Sequence, residues 1–211
     1  MIILLFGKPG AGKGTQAPLL AAALGVPTLA TGDELRAAIR KGTPLGLEAK
    51  SYMDRGDLVP DAVILGIVKA ALSEPRNVSG VLLDGVVRTV PQAEGLSAVA
   101  EELGMQIKAV LVFDIDDEEI VRRLADRVVC DVCQTPYTGR APGSLCDKDG
   151  GVLVRRKDDE PEAIRNRLAV YQRQTAPVLE WYQQHATRVA VIDAVGSVQD
   201  VTARALGALA R

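Results

Sequence analysis

Apolar, β-branched runs alternate along this chain with longer stretches of helical spacing. Five runs read as strands: Ile2 to Phe6, a short one near Thr28 to Ala30, Val81 to Asp84, Lys108 to Phe113, and Val189 to Ile192. Helical patterns lie between them, the first over Gln16 to Leu24, and this alternation predicts a layered α/β fold around a mostly parallel sheet. Ligands of such sheets collect at the carboxyl ends of the strands. Those ends carry Gly7 to Lys13, Thr31-Gly32-Asp33, Asp84-Gly85 and Asp114. Two stretches break the rhythm. Thr31 to Pro60 has helical pieces, breaks at Gly42-Thr43-Pro44 and Gly56-Asp57, and no strand. Val128 to Lys157 is rich in Gly, Pro, Asp and Arg, and reads as a second insertion with short strands. A structureless loop of that length would be unusual, so it should be functional or stapled. From Glu160 to His185 one long helix is expected, opened by Pro161 and kinked or split at Pro177.

The stretch Gly7-Lys8-Pro9-Gly10-Ala11-Gly12-Lys13-Gly14-Thr15 sits between the first strand and the first helix. Small residues there let backbone amides approach phosphate oxygens, the helix N-terminus adds partial positive charge, and Lys13 adds a full one. The chain is therefore read as nucleotide-binding. Gly14 stands where a hydroxyl residue usually binds magnesium, with Thr15 following, so magnesium must lean on phosphates, water and a carboxylate elsewhere.

Bulk properties narrow the partner. The 211 residues suffice for one α/β domain with insertions, and a net charge of -2 with 3% aromatic residues argues against a nucleic-acid surface. No apolar run reaches membrane-spanning length and no signal peptide is read, so a cytoplasmic location is expected. Asn77-Val78-Ser79 matches a glycosylation triplet and is read as chance. All three cysteines fall in one stretch: Cys130-x-x-Cys133, twelve residues, then Cys146-x-x-Asp149. Two facing knuckles of thiolates and one carboxylate suit a closed structural zinc site, whose binding would replace hydrophobic packing in a small unit.

Phosphoryl transfer needs two anions held in line and their charge neutralised in a dry site, so cations should outnumber bases. Lys13 and the arginines are the candidates, although each arginine alone reads as a solvated helix face. Arg122, Arg140, Arg155 and Arg165 are read as solvated faces, and the one histidine, His185, as surface.

Together with the phosphate loop, ATGDELR at 30 to 36, LLDGVVRTVPQAE at 82 to 94 and RRKDD at 155 to 159 make the chain resemble the adenylate kinase family of the bacterial, long-lid type. The resemblance implies a P-loop nucleoside monophosphate kinase fold: a five-stranded parallel sheet with flanking helices, a helical AMP-binding insertion and a zinc-binding lid. Core would be 1–29, 60–126 and 161–211, the AMP-binding insertion 30–59, and the lid 127–160. The implied reaction is reversible transfer from ATP to AMP, giving two ADP, by a monomer that binds neither nucleic acid nor membrane.

Site residues follow from the same resemblance. The acceptor AMP falls to Thr31, Gly32, Arg36, Met53, Asp57, Leu58 and Val59, and to Gly85, Val86, Val87, Arg88 and Gln92. Gln92 is chemically apt, since a carboxamide pairs with the N6 and N7 edge of adenine. ATP falls to Gly10, Ala11, Gly12, Lys13, Gly14 and Thr15, with Arg123 and Arg127 flanking it, Pro136 and Tyr137 near the base, and Gly196 near the adenine amino group. Arg156 and Arg167 would bridge the moving phosphoryl, with Asp158 and Asp159 orienting arginines and Asp84 anchoring Mg2+ through water. Zn2+ falls to Cys130, Cys133, Cys146 and Asp149.

One motif departs from the family's Asp-Gly-Phe-Pro-Arg, whose bond before proline is cis: here it reads Asp84-Gly85-Val86-Val87-Arg88. A cis bond between non-proline residues costs about 2.5 to 4 kcal/mol. Either a trans bond with local rearrangement or a strained cis bond is expected. Rival readings are another nucleoside monophosphate kinase with a GTP donor or pyrimidine acceptor, a GTPase-like switch, which lacks its Asn-Lys-x-Asp motif here, and a nucleic-acid binder using the cysteine segment.

Overall fold

The computed structural model describes residues 1–77, 79–185 and 187–210. The first apolar run forms β1 (Ile2–Gly7), buried along its whole length. It turns through the glycine loop into α1 (Lys13–Leu24), followed by β2 (Thr28–Ala30). The helix starts three residues before Gln16, at Lys13, because Gly12 caps it in a left-handed conformation (φ 93°) that side-chain residues rarely adopt. Next come α2 (Thr31–Arg40) and α3 (Pro44–Arg55), the latter opened by the Thr43 hydroxyl accepting from Gly46 N at 3.1 Å. Gly46 lets these two helices touch: a Cβ there would lie 2.3 Å from the Ala38 backbone. The chain continues through α4 (Asp61–Leu72), β3 (Val81–Asp84), α5 (Val90–Glu102), β4 (Ile107–Asp114) and α6 (Asp117–Ala125).

A second, antiparallel sheet follows, of β5 (Val128–Cys130), β6 (Pro136–Tyr137) and β7 (Leu153–Val154), in the order β6-β5-β7. Then come α7 (Pro161–Val170), a π turn at Tyr171–Thr175, α8 (Ala176–Gln184), β8 (Arg188–Asp193) and α9 (Val198–Ala210). The expected long helix is thus split, and the π turn precedes Pro177, which sits in the first turn of α8.

The main sheet is parallel throughout, with order β2-β3-β1-β4-β8. From β1 the chain winds to one side for β2 and β3 and to the other for β4 and β8. The carboxyl end of β1 therefore lies at the topological switch point, where such sheets open a crevice. Alternate side chains feed two cores: Ile2, Leu4 and Phe6 pack with residues of α4, α5 and α8, while Ile3 and Leu5 pack with residues of α1 and α9. Asn77 is buried, its amide donating to Ala71 O at 2.7 Å, so the glycosylation triplet starts inside the fold; Val78 lies outside the described residues. Among the described residues no helix is long and apolar enough to cross a membrane.

Candidate active site

The glycine loop curls around its own lysine. Lys13 Nζ donates to the carbonyls of Gly7 (2.6 Å) and Lys8 (2.9 Å), while Gly10 and Gly12, at φ 86° and 93°, turn the backbone. Gly7 is obligatory, since a Cβ would lie 2.5 Å from Phe113 O on β4. Loss of hydration holds the Lys13 ammonium down to about 8, although the Asp84 carboxylate pulls it back up. Asp84 ends β3 with Oδ2 3.6 Å from where a Gly14 Cβ would be, and burial pushes its carboxyl up. Lys8, the loop's other cation, points away and pairs with Asp117 at 2.7 Å, tying the loop to α6. The sequence reading had no role for it.

Across the crevice stand the arginines. Arg123 is placed by Glu119 (2.8 Å) and the Ala194 carbonyl (3.2 Å). Arg127 Nε donates to Asp159 at 2.7 Å, and Arg167 donates to the Asp158 carbonyl (2.8 Å) and to Asp159 (3.1 Å). Asp158 and Asp159 are thus both in contact with cleft arginines. Arg36 pairs with Asp33 at 2.5 Å. The Nε atoms of Arg36 and Arg156 are buried with no partner among the described residues. Burial and neighbouring guanidinium groups pull Arg156 and Arg167 below the usual arginine range, yet they stay charged at neutral pH. Several buried cations around an open space make a site for a polyanion.

Gly85 to Arg88 links β3 to α5. The Val86–Val87 bond is trans, as are all peptide bonds among the described residues, and both valines are buried. Of the two expected geometries the chain adopts the unstrained one. Arg88 is fixed on three sides: its N–H donates to Gln92 Oε1 (2.7 Å), its Nε to Gly85 O (2.9 Å), and its carbonyl accepts from the Thr175 hydroxyl (2.9 Å). Thr175 and Tyr171, from the π turn, border the crevice; Pro177 marked the break but not this use of it. Gln92 is 2% exposed and borders the crevice rather than solvent.

These groups enclose one cleft of about 1010 Å³. Its lining takes in Gly10 to Thr15, Asp84, and every residue expected on the AMP side, including Met53 and Asp57 to Val59. Arg123, Arg127, Pro136, Tyr137, Arg156, Asp158, Arg167 and Gly196 border it too. Asp159 stands behind Arg127 and Arg167, outside the lining. Arg122 is exposed and paired with Glu119, as a solvated face would be, at the cleft edge. Arg140 pairs with Asp147, Arg155 and Arg165 are exposed, and His185 is exposed and stacked on Trp181.

Outside the cleft lining but joined to it by Tyr137, whose hydroxyl lies 3.2 Å from Cys146 Sγ, one ligand atom from each of Cys130, Cys133, Cys146 and Asp149 falls within 4.8 Å of the others. Backbone N–H groups of Val132 (3.3 Å) and Cys133 (3.4 Å) point at Cys130 Sγ, and that of Lys148 (3.4 Å) points at Cys146 Sγ. Amides aimed at sulfur favour thiolates, so the donor set can bind zinc.

A glycine loop and lysine at a switch point, facing arginines across a cleft, define a P-loop phosphotransferase. More narrowly, the chain belongs to the adenylate kinase family, whose family model, described as Adenylate kinase, matches residues 5–187. A protein named adenylate kinase from Gemmatimonas aurantiaca is 57% identical over 211 residues, covering 99% of each chain. Others of that name are 45% identical: one from Methanocella arvoryzae over 96% of this chain and 95% of its own, and one from Salinispora tropica over 99% and 98%.

Proposed function

We propose that this enzyme reversibly transfers the terminal phosphoryl group of ATP to AMP, giving two ADP, with both nucleotides held end to end in the one cleft. The cleft itself carries the reading: at about 1010 Å³ it stands at the top of the range of about 300–1,000 Å³ for single-ligand pockets, with cations along its length. ATP phosphates lie on the amides of Gly10 to Thr15 and take the Lys13 ammonium from the Gly7 and Lys8 carbonyls. Arg123, Arg127, Pro136, Tyr137 and Gly196 bound its remaining part. AMP sits against Thr31, Gly32, Arg36, Met53, Asp57 to Val59 and Gly85 to Arg88, with Gln92 at its base. The unpartnered Arg36 and Arg156 Nε atoms donate to phosphate oxygens, and Arg156 and Arg167 neutralise charge on the moving group.

Magnesium, carried with ATP, would supply positive charge that neutralises the phosphates. Asp84, beside Gly14, is the carboxylate that would hold it through water, in place of the missing hydroxyl. Cys130, Cys133, Cys146 and Asp149 would hold zinc, which would supply structural cross-linking of the lid. Segments 30–59 and 127–160 swing on the core about Ala30-Thr31, Val59-Pro60, Asp126-Arg127 and Asp159-Pro161, excluding water so that transfer outruns hydrolysis. The enzyme acts as a cytoplasmic monomer without nucleic acid.

The test is a coupled assay of ADP formed from ATP, AMP and magnesium. Turnover with AMP is expected, and Arg167→Ala should lower kcat at least about a hundredfold. No ADP from the folded protein would overturn the proposal.

A further inference from the structure

A carboxylate stands behind the acceptor end of the cleft without touching it. Asp61, the first residue of α4, accepts from Gln92 Nε2 at 2.7 Å and from the Thr89 hydroxyl at 3.1 Å. The other end of the same carboxamide, Gln92 Oε1, accepts from Arg88 N–H at 2.7 Å. These two partners differ in kind. A carboxylate only accepts and a backbone N–H only donates, so the amide nitrogen must face Asp61 and the oxygen must face Arg88. The usual ambiguity of a glutamine amide is removed by its neighbours.

We infer that Asp61 is a positioning residue that locks the Gln92 carboxamide in one orientation and thereby sets the acceptor base preference. This rests on the reading that Gln92 meets the acceptor base. Each end of the amide keeps one capacity beyond those bonds, a second N–H on nitrogen and a second lone pair on oxygen. Donor beside acceptor, in that fixed order, matches the amino group and ring nitrogen of adenine. Hypoxanthine carries a carbonyl where adenine carries the amino group. Against a locked Gln92 that carbonyl meets an oxygen, and two acceptors repel. A Gln92 free to turn over would present N–H to it instead and, where the amide meets the N1 rather than the N7 side of the ring, its oxygen to the N1–H that hypoxanthine carries.

Asp61→Asn keeps the shape but offers either an oxygen or an amino group, and so releases half of the lock. The measurement is kcat/KM with AMP and with inosine monophosphate for the intact enzyme, Asp61→Asn, Gln92→Leu and the double variant, with thermal midpoints alongside. Asp61→Asn is expected to lower the AMP preference about tenfold, the scale of one hydrogen bond to a charged group, chiefly through the KM for AMP. The double variant should discriminate no worse than Gln92→Leu alone. If Gln92→Leu abolishes the preference while Asp61→Asn leaves it within about twofold, the Asp61 assignment falls and the Gln92 reading stands. An unchanged preference in Gln92→Leu overturns both. Equal losses with both acceptors and a lowered midpoint in Asp61→Asn would make Asp61 a helix anchor only, which also overturns the inference. Asp61→Ser gives the same ratio should the asparagine variant fail to fold.

Discussion

The cleft and the small antiparallel sheet each gather polar groups that call for an ion of opposite sign, and they stand on unequal scaffolds. Lys13, Arg36, Arg88, Arg156 and Arg167 are held around open space by strands and helices with a deep apolar core on each face of the main sheet. The small sheet has a core of only Val128, Cys130, Cys146 and Leu153, with Tyr137 packed against it, and two of those four are ligands of the proposed metal. The main sheet can therefore hold a charged cluster in an unfavourable state without its anion. The small sheet has no such reserve, so on the proposed zinc reading its order depends on its cation.

The largest expected effect follows from that inequality. Zinc in small structural sites supplies on the order of 10–16 kcal/mol of folding energy, so chelation or Cys146→Ser should melt the segment around β5, β6 and β7. Hydrogen–deuterium exchange is expected to show amides from 128 to 154 exchanging at least about a hundredfold faster, with β1 and β4 unchanged. Simultaneous loss of protection in β1 would break the comparison.

A cavity in the main core should act in the opposite sense. Leu82, fully buried on the α1 and α9 side of the sheet, is expected on truncation to Ala to cost roughly 2–5 kcal/mol in urea unfolding. Zinc content should stay at one per chain, because the ligands fold around their own ion. Loss of zinc in Leu82→Ala at a temperature where the fold persists would show that the two scaffolds are one cooperative unit.

What was legible in the sequence tracks how local each signal is. The strands show as apolar runs because buried parallel strands need continuous hydrophobicity, and the glycine loop shows because close phosphate approach tolerates only small residues. The start of α1 was missed because its cap is the left-handed Gly12 rather than a Ser or Asp. The π turn was seen only as a disturbance at Pro177, since no local pattern distinguishes an extra residue in a turn from a kink. Arginines were separable into cleft and surface sets only through motif resemblance; in the fold, Arg36, Arg88 and Arg167 converge while Arg155 and Arg165 face solvent. Lys8 with Asp117, and Asp61 with Gln92, are pairs across 109 and 31 residues, a separation that single-sequence patterns do not encode.

The smallest expected effect tests the cleft side alone. Burial holds the Lys13 ammonium down to about 8, against 10.5 for an ordinary lysine. Its native pKa lies below the unfolded one, so the unfolded chain binds more protons from pH 8 to 10.5, and this lysine's contribution to stability rises with pH across that window. A bound polyphosphate reverses the cause, replacing the Gly7 and Lys8 carbonyls by anionic oxygens and returning the ammonium to full charge. ATP binding at pH 8 should then take up about half a proton, and almost none at pH 6.5, read by calorimetry in buffers of different ionisation enthalpy. Lys13→Met should abolish the uptake. Equal heats in all buffers at pH 8 would mean that the main sheet holds its lysine without electrostatic cost, and that only the metal-bearing segment depends on an ion for its state.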